Sequence, residues 1–340
     1  EAPPPGYTLF QRPDYNASHV WEEKASVSVA RDANDGGIVL DGKIYFVGGH
    51  NAGNAFNLVE RYDPVTNEWE TLNPLSVPRA GLAVAVLKDK IYAIGGAGLT
   101  SVEVYDSTTG QWSAGPSLPS EVVYGTAVSI GEKIFLIGGG GTNLAGLNQT
   151  LEFDPETNQW SQKAPMPTAR FGLKTVVYEG KIWVLGGGDG GQHLNSVEIY
   201  DPTSNSWATG PSLTTNRLFP TAWVIGDRIY LAGGRASQSN YHDSIEIFDS
   251  ISNQWSLSGS LPENKYSAEV AILNDKLFII AGRRQDEDYS NKVYSADLPA
   301  PAMNLYFKDG NATAEADLST LGLADGSVTL GQLAPDALAK

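Results

Sequence analysis

The sequence predicts an all-β repeat protein, made of one four-stranded antiparallel unit copied six times. Two independent markers carry that prediction. Gly-Gly pairs end apolar runs at Gly48-Gly49, Gly95-Gly96, Gly138-Gly139, Gly186-Gly187 and Gly233-Gly234, with Ala281-Gly282 as a worn sixth copy. Tryptophans keep the same beat at Trp21, Trp69, Trp112, Trp160, Trp207 and Trp255, in steps of 48, 43, 48, 47 and 48 residues. A shared period of this size points to a propeller or a solenoid, whose units bury their apolar faces on one another.

One unit, residues 79–115, shows how the strands are laid out. Residues 80–87 are small and aliphatic, which suits an innermost strand where units crowd together. Lys88-Asp89-Lys90 makes a polar turn. Ile91-Tyr92-Ala93-Ile94 is a second strand, stopped by Gly95-Gly96, where the backbone needs positive φ or a close approach. Val102-Glu103-Val104-Tyr105-Asp106 alternates with period two, as a half-buried strand does. Ser107-Thr108-Thr109-Gly110 then turns the chain towards Trp112, which opens the outer strand. The residue two before that tryptophan is Asn67, Gly110, Asn158, Asn205 or Asn253, types that tolerate the left-handed conformation. Asp63-Pro64, Asp154-Pro155 and Asp201-Pro202 supply an Asx cap and a preset φ for the turn.

These residues resemble the kelch repeat. Its pattern is an Arg after a Pro-rich turn, an apolar run, Ile-Tyr-x-x-Gly-Gly, then Tyr-Asp-Pro and Trp. Val77-Pro78-Arg79, Ile91-Tyr92-Ala93-Ile94-Gly95-Gly96, Tyr62-Asp63-Pro64 and Trp69 match it, and the resemblance covers roughly residues 19–298. It implies a six-bladed β-propeller of four-stranded antiparallel blades. The phase predicts how the ring closes. The chain begins with an outer-strand signature, His19-Val20-Trp21, and ends its repeats with the third-strand signature Lys292-Val293-Tyr294-Ser295-Ala296-Asp297. The Trp21 strand is therefore expected to complete the last blade, which removes an open sheet edge. The domain reading is a lead over residues 1–18, a propeller over 19–298 and a C-terminal tail over 299–340.

Composition narrows the function classes. The net charge is −16, from 39 acidic and 23 basic residues, which disfavours nucleic acid and anionic membranes as partners. With no cysteine, disulfides, thiolate metal sites and cysteine nucleophiles are excluded. The exclusion extends to the galactose oxidase-like kelch enzymes, whose radical site needs a cysteine crosslinked to tyrosine. No apolar run reaches the ~18 residues of a membrane span. The opening Glu1-Ala2-Pro3-Pro4-Pro5-Gly6 reads as a mature end left after signal cleavage. The expected setting is extracellular or cell-surface, with the periplasm as alternative.

The kelch resemblance implies that two positions per blade face the central channel. One lies eleven residues before the basic residue opening the second strand, giving Asp32, Arg79, Val122, Arg170, Arg217 and Lys265, with Arg31 competing for the first slot. The other follows the glycine pair: His50, Ala97, Gly140, Gly188, Arg235 and Arg283. The expected ligand-binding rim is thus Arg79, Arg170, Arg217, Lys265, Arg235, Arg283 and His50. Clustered arginines suit carboxylate, sulfate or phosphate groups. Tyr124, Phe171, Phe219, Tyr241 and Tyr266 lie nearby in sequence as stacking surfaces. The competing reading of the kelch Arg is structural, as a partner of neighbouring loops; Arg235 and Arg283 are off-consensus.

No catalytic residue is assigned, and no metal or other cofactor is expected. His50, His193 and His242 sit in loops on different blades. Asp189 in Gly188-Asp189-Gly190-Gly191 admits calcium but is equally explained by turn chemistry. Asp32, Asp189 and Glu269 are nominal carboxylate bases for an enzyme of the epimerase or lyase type on acidic sugars. The favoured reading is a non-catalytic recognition or assembly module of an exported bacterial surface or fibre protein, binding an acidic glycan or acidic peptide. A purely structural subunit is the third reading. The tail, with its Asp325-Gly326-Ser327-Val328-Thr329 segment, resembles linkers of bacterial surface and fibre proteins. Its pieces Asn304-Leu305-Tyr306-Phe307 and Val328-Thr329-Leu330 are expected to dock as strands on the propeller or on neighbouring copies.

Overall fold

Six four-stranded antiparallel sheets follow one another along the chain. The computed structural model describes residues 20–298 apart from 34, 142–144, 238 and 287, together with the backbone of Tyr7–Leu9, Leu305–Lys308 and Ala314–Ala316. Blade 1 consists of Gly37–Leu40, Lys43–Val47, Val59–Asp63 and Glu68–Thr71. Blades 2 to 5 repeat the order, with inner strands Ala83–Leu87, Thr126–Ile130, Lys174–Tyr178 and Thr221–Ile225. Blade 6 takes Glu269–Leu273, Lys276–Ile280 and Val293–Asp297 from the end of the repeats and Glu22–Lys24 from their beginning. The register there is Glu22↔Ser295 and Lys24↔Val293, so the expected closure is present. Each inner strand packs on those of both neighbours, blade 6 on blade 1 included, and this closes the ring around a central axis.

The core is divided among the seams. Second strands alternate, so successive side chains serve opposite faces. Ile44 and Phe46 join a cluster with Phe278 and Ile280 of blade 6, whereas Tyr45 and Val47 join one with Val84 and Ile91 of blade 2. The other four seams are filled in the same way. No blade has a core of its own.

The periodic tryptophans lock these seams. Each indole Nε1–H donates to a backbone carbonyl of the preceding blade: Trp69 to Ala25, Trp112 to Asn73, Trp160 to Pro116, Trp207 to Ala164, Trp255 to Pro211, and Trp21 to Ser260. Turn residues behave as read from the sequence. Asn67, Gly110, Asn158, Asn205 and Asn253 all have φ between 50° and 68°. Asp63, Asp154 and Asp201 accept from the backbone N–H two residues on.

The glycine pairs have a specific cause. The second residue of each pair donates its N–H to a carbonyl at the entry to the next blade: Gly49 to Arg79, Gly96 to Val122, Gly139 to Arg170, Gly187 to Arg217, Gly234 to Lys265, and Gly282 to Arg31, at 2.8–3.1 Å. Both residues of the pair are left-handed, and a Cβ on Gly186 or Gly233 would stand 2.4 Å from the Arg217 or Lys265 carbonyl oxygen.

Two short two-stranded ribbons, His50–Asn51 with Asn54–Ala55 and Lys265–Tyr266 with Arg283–Arg284, lie in the loops, and three further described strands form a separate sheet. Leu305–Lys308 pairs with Tyr7–Leu9 on one side and Ala314–Ala316 on the other. Chain contacts group residues 1–17 with 299–340 as one unit and 18–298 as another. The tail strand expected from its sequence is thus partnered by the N-terminal lead, and residues 328–330 lie outside the described residues.

Gly186→Ala is expected to lower stability by about 1–3 kcal/mol through strained φ and the clash with the Arg217 carbonyl. Ala281→Gly, at the equivalent position, is expected to shift it by less than about 1 kcal/mol. Thermal unfolding followed by circular dichroism compares the two.

Candidate binding site at the channel mouth

The regular arginines belong to the scaffold. Arg31, Arg79, Arg170 and Arg217 are wholly buried, each against a glutamate of the third strand: Glu60 at 2.7 Å, Glu103 at 2.9 Å, Glu198 at 3.0 Å and Glu246 at 2.8 Å. Each also donates to the carbonyl of the first glycine of the pair, Gly48, Gly95, Gly186 or Gly233. Burial lowers their pKa, and the glutamates offset part of that effect. Lys265 takes the same place in blade 6, donating to the Ala281 carbonyl at 2.9 Å and pairing with Glu263 at 3.1 Å. Burial brings its pKa down to about 8. Arg79, Arg170, Arg217 and Lys265 are therefore staples rather than rim groups, because a guanidinium satisfied by a buried glutamate and a carbonyl has nothing left for a ligand. In the first blade Arg31, not Asp32, fills the slot.

Blade 3 departs from this rule. Val122 replaces the arginine, and the buried Leu151 stands where the other third strands carry the glutamate, two residues before the aromatic Phe153. The staple and its counter-charge are lost together, so no buried carboxylate is stranded.

The residues after the glycine pairs do line one end of the channel. They bond to the entry segment of their own blade through Asp32↔His50, Val123↔Gly140, Phe171↔Gly188, Leu218↔Arg235 and Tyr266↔Arg283, and Ala97 N–H donates to Ala80. One residue further along the entry segments, backbone bonds run from blade to blade. Tyr124 N–H donates to Gly81, Gly172 to Tyr124, Phe219 to Gly172 and Ser267 to Phe219, at 2.7–2.9 Å. All five residues are left-handed. For Tyr124 and Phe219 that conformation costs about 1–2 kcal/mol. Their rings lie over Gly81 and Gly172, where a Cβ would come within 2.6 and 2.7 Å of them.

The aromatic residues expected as stacking surfaces form one continuous cluster across this mouth. Ring centroids are 5.0 Å apart for Tyr124–Phe219, 6.2 Å for Phe171–Phe219, 6.2 Å for Phe219–Tyr266 and 5.2 Å for Tyr241–Tyr266. The Arg235 and Arg283 guanidinium carbons lie 5.2 and 5.7 Å from the Tyr266 centroid. Arg283 also lies 4.9 Å from Tyr289, a residue not singled out from the sequence. Its signal was present, since it follows Arg283 by the same six residues that separate Tyr241 from Arg235, and both pairs are bridged. Arg235 has no carboxylate partner among the described residues, and its Nε is buried without a hydrogen bond.

His50 lies on the same side of the mouth. Its Nδ1 is 2.7 Å from Asp32 Oδ1, and its Nε2 is 3.5 Å from the Tyr124 hydroxyl. Burial pushes that hydroxyl's pKa up to about 12. His193 lies beside Arg235 and His242 beside Arg217, and burial lowers the pKa of both; the three histidines do not converge. Asp189 accepts from Gly191 and Gln192 N–H at 2.8 and 2.7 Å, an Asx turn that accounts for it. Among the described residues no group of three or more potential ligands is placed to hold a metal.

Deeper in the channel a charge cluster joins opposite blades. Lys174 of blade 4 donates to Asp35 at 2.6 Å and to Glu269 of blade 6 at 3.4 Å, and Ala127 N–H of blade 3 donates to Asp35 at 3.0 Å. All three charged groups are buried. Gly37 is required beside them, because a Cβ there would come 2.6 Å from that of Glu269. Glu269, a nominal base in the sequence reading, is thus a member of a buried plug. Its partners were not legible, since Lys174 lies 95 residues from Glu269 and 139 from Asp35, separations that carry no local pattern.

Fold and mouth together define a closed six-bladed propeller whose entry loops carry a buried Arg–Glu staple. Residues 98–217 match the KLHDC2/KLHL20/DRC7 Kelch-repeats domain, and residues 36–76 and 217–262 match the Kelch motif. The chain belongs to the kelch-repeat family. Kelch-like protein 25 of Xenopus tropicalis is 33% identical over 218 residues, covering 60% of this chain and 36% of that protein. Kelch-like protein 35 of Mus musculus is 31% identical over 180 residues, covering 52% of this chain and 31% of that protein. The chain therefore spans about a third of the length of these curated relatives. The solved structure titled "Structure of YjhT" superposes with a TM-score of 0.69 at 18% identity, over 86% of this chain and 99% of that one, a likeness of fold.

The plug gives the propeller a pH dependence. Burial raises the Glu269 pKa to about 7, Lys174 opposes that shift and Asp35 adds to it. Burial also raises Asp35. Burial pulls Lys174 down, but its two carboxylates outweigh this and hold it above its ordinary value. The unfolded glutamate titrates near about 4.3. The folded protein therefore binds the proton more tightly, and this contribution to stability is lost as pH rises from there through 7. Glu269→Gln is expected to flatten the melting temperature between pH 5 and 8. Lys174→Met should destabilise by about 3–5 kcal/mol at pH 8, by leaving two buried carboxylates uncompensated. Thermal melts across that pH range check both.

Proposed function

We propose that this propeller is a recognition module that binds an acidic peptide segment of a partner protein at its channel mouth. The observation that carries the reading is the pair Arg235 and Arg283, both set against the Tyr266 ring, with Arg235 left without a carboxylate of its own. In a chain of net charge −16, cations gathered on one channel mouth make a local attractor for anionic groups. The half-buried Tyr124 and Phe219 rings, set edge to face, offer apolar contact to an extended chain, with the buried Tyr266 beneath the arginines. An anionic glycan has the same charge chemistry and is the other occupant to be distinguished. The exported surface or fibre setting expected from the sequence remains part of this proposal.

A second reading, an enzyme on acidic sugars, is favoured by one constellation. Asp32 Oδ1 lies 2.7 Å from His50 Nδ1, and His50 Nε2 lies 3.5 Å from the Tyr124 hydroxyl. An imidazole oriented in that way is a competent general base. Turnover of an acidic sugar that disappears in His50→Ala would favour this reading over simple binding.

The primary test is a paired array of acidic peptides and of carboxylated or sulfated glycans, probed at low and physiological salt. Peptide binding is expected to be salt-sensitive and to weaken about tenfold or more, or roughly 1.4 kcal/mol, in Arg235→Ala with Arg283→Ala. Binding to glycans alone would transfer the site to carbohydrate recognition. Binding that ignores both arginines would remove the mouth from the function.

A further inference from the structure

The mouth is two-sided. At the position after the glycine pair, blades 5, 6 and 1 carry Arg235, Arg283 and His50, whereas blades 2, 3 and 4 carry Ala97, Gly140 and Gly188. On the small-residue side a cavity of about 200 Å³ opens at the seam of blades 2 and 3. Its lining comprises the Gly96–Gly98 and Gly140–Gly141 segments, Val122, Val123, the Tyr124 ring and Glu121. Val122 and Val123 are buried aliphatic residues in its wall, and Glu121 is its one charged residue.

This cavity coincides with the break in the repeat. Blade 3 alone has Val122 where the other blades carry the stapling Arg or Lys, and the buried Leu151 stands in the place of the partner glutamate. A cavity walled by valines and glycine backbone suits an aliphatic group, because burying a polar one there without a partner costs free energy. The Arg235–Arg283 pair lies at the other end of the aromatic row, beyond centroid steps of 5.0 and 6.2 Å from Tyr124 through Phe219 to Tyr266.

The geometry points to a second subsite: the seam cavity at Val122 takes a Val, Leu or Ile side chain of the same acidic peptide whose carboxylate is held by Arg235 and Arg283. The inference rests on the acidic-peptide reading and adds a composition and a spacing to it. At roughly 3.3 Å per extended residue, the acid and the aliphatic residue are about two to four positions apart. The arginine end takes the acid and the seam cavity takes the aliphatic side chain.

The test is a positional array of immobilised heptapeptides, each with one fixed Glu and every other position scanned with Ala, Val, Leu, Ser, Lys, Asp and Phe. The wild-type propeller is compared with Ala97→Phe and Gly141→Val, which narrow the cavity. Ala97 is exposed, and a Cβ on Gly141 meets nothing within 4 Å, so neither change disturbs the core. Wild type is expected to prefer Val or Leu over Lys or Asp by about tenfold at one fixed offset from Glu, a difference of ~1.4 kcal/mol. Both variants are expected to lose that preference while still requiring Glu and Arg235. Glu-dependent binding with no aliphatic preference, or with a preference unchanged in both variants, overturns the subsite and leaves the acidic-peptide reading standing. Absence of any Glu-dependent binding overturns both.

Discussion

The constraint on which the ring depends is a backbone hydrogen bond repeated at every seam. The second residue of each glycine pair passes its N–H to the carbonyl at the entry of the next blade. For the two backbones to come that close, the pair must be left-handed, and side chains there would meet backbone oxygen. The buried Arg–Glu staple then uses the carbonyl of the first glycine as its acceptor, and the entry segment it fixes presents the mouth residues. Glycine pair, staple and mouth are one connected arrangement. This is why an arginine that looks available in the sequence is already committed in the fold.

That commitment explains what was legible. Period, strand order, turn conformations and ring closure follow from local chemistry that each copy repeats, so Asn67 or Asp63 can be read in isolation. The charged groups cannot. A kelch arginine on the page has the same letter whether it meets Glu103 or solvent, and only the third strand, some two dozen residues on, supplies the difference. Arg235 stood out because it breaks the consensus rather than because its surroundings were visible. The Asp35–Lys174–Glu269 plug joins three blades across the axis, and no spacing in the chain announces it.

Departures from the repeat carry more information about binding than its regularities do. Val122 removes a staple, Tyr124 and Phe219 occupy positions where Gly81 and Gly172 sit without strain, and Arg235, Arg283 and His50 replace small residues. All of them lie at the same end of the channel. The scaffold tolerates strained aromatic residues there because each ring rests on a glycine of the preceding blade.

Closure through Glu22–Lys24 also sets an order of events in synthesis. The first strand of the propeller to leave the ribosome pairs with one of the last, across a separation of 273 residues between Glu22 and Ser295. Until Ala271 to Val293 of blade 6 emerge, Ile44 and Phe46 lack the blade 6 half of their cluster. The nascent chain is an arc with two adhesive ends, and it becomes a ring only when translation of the repeats is complete.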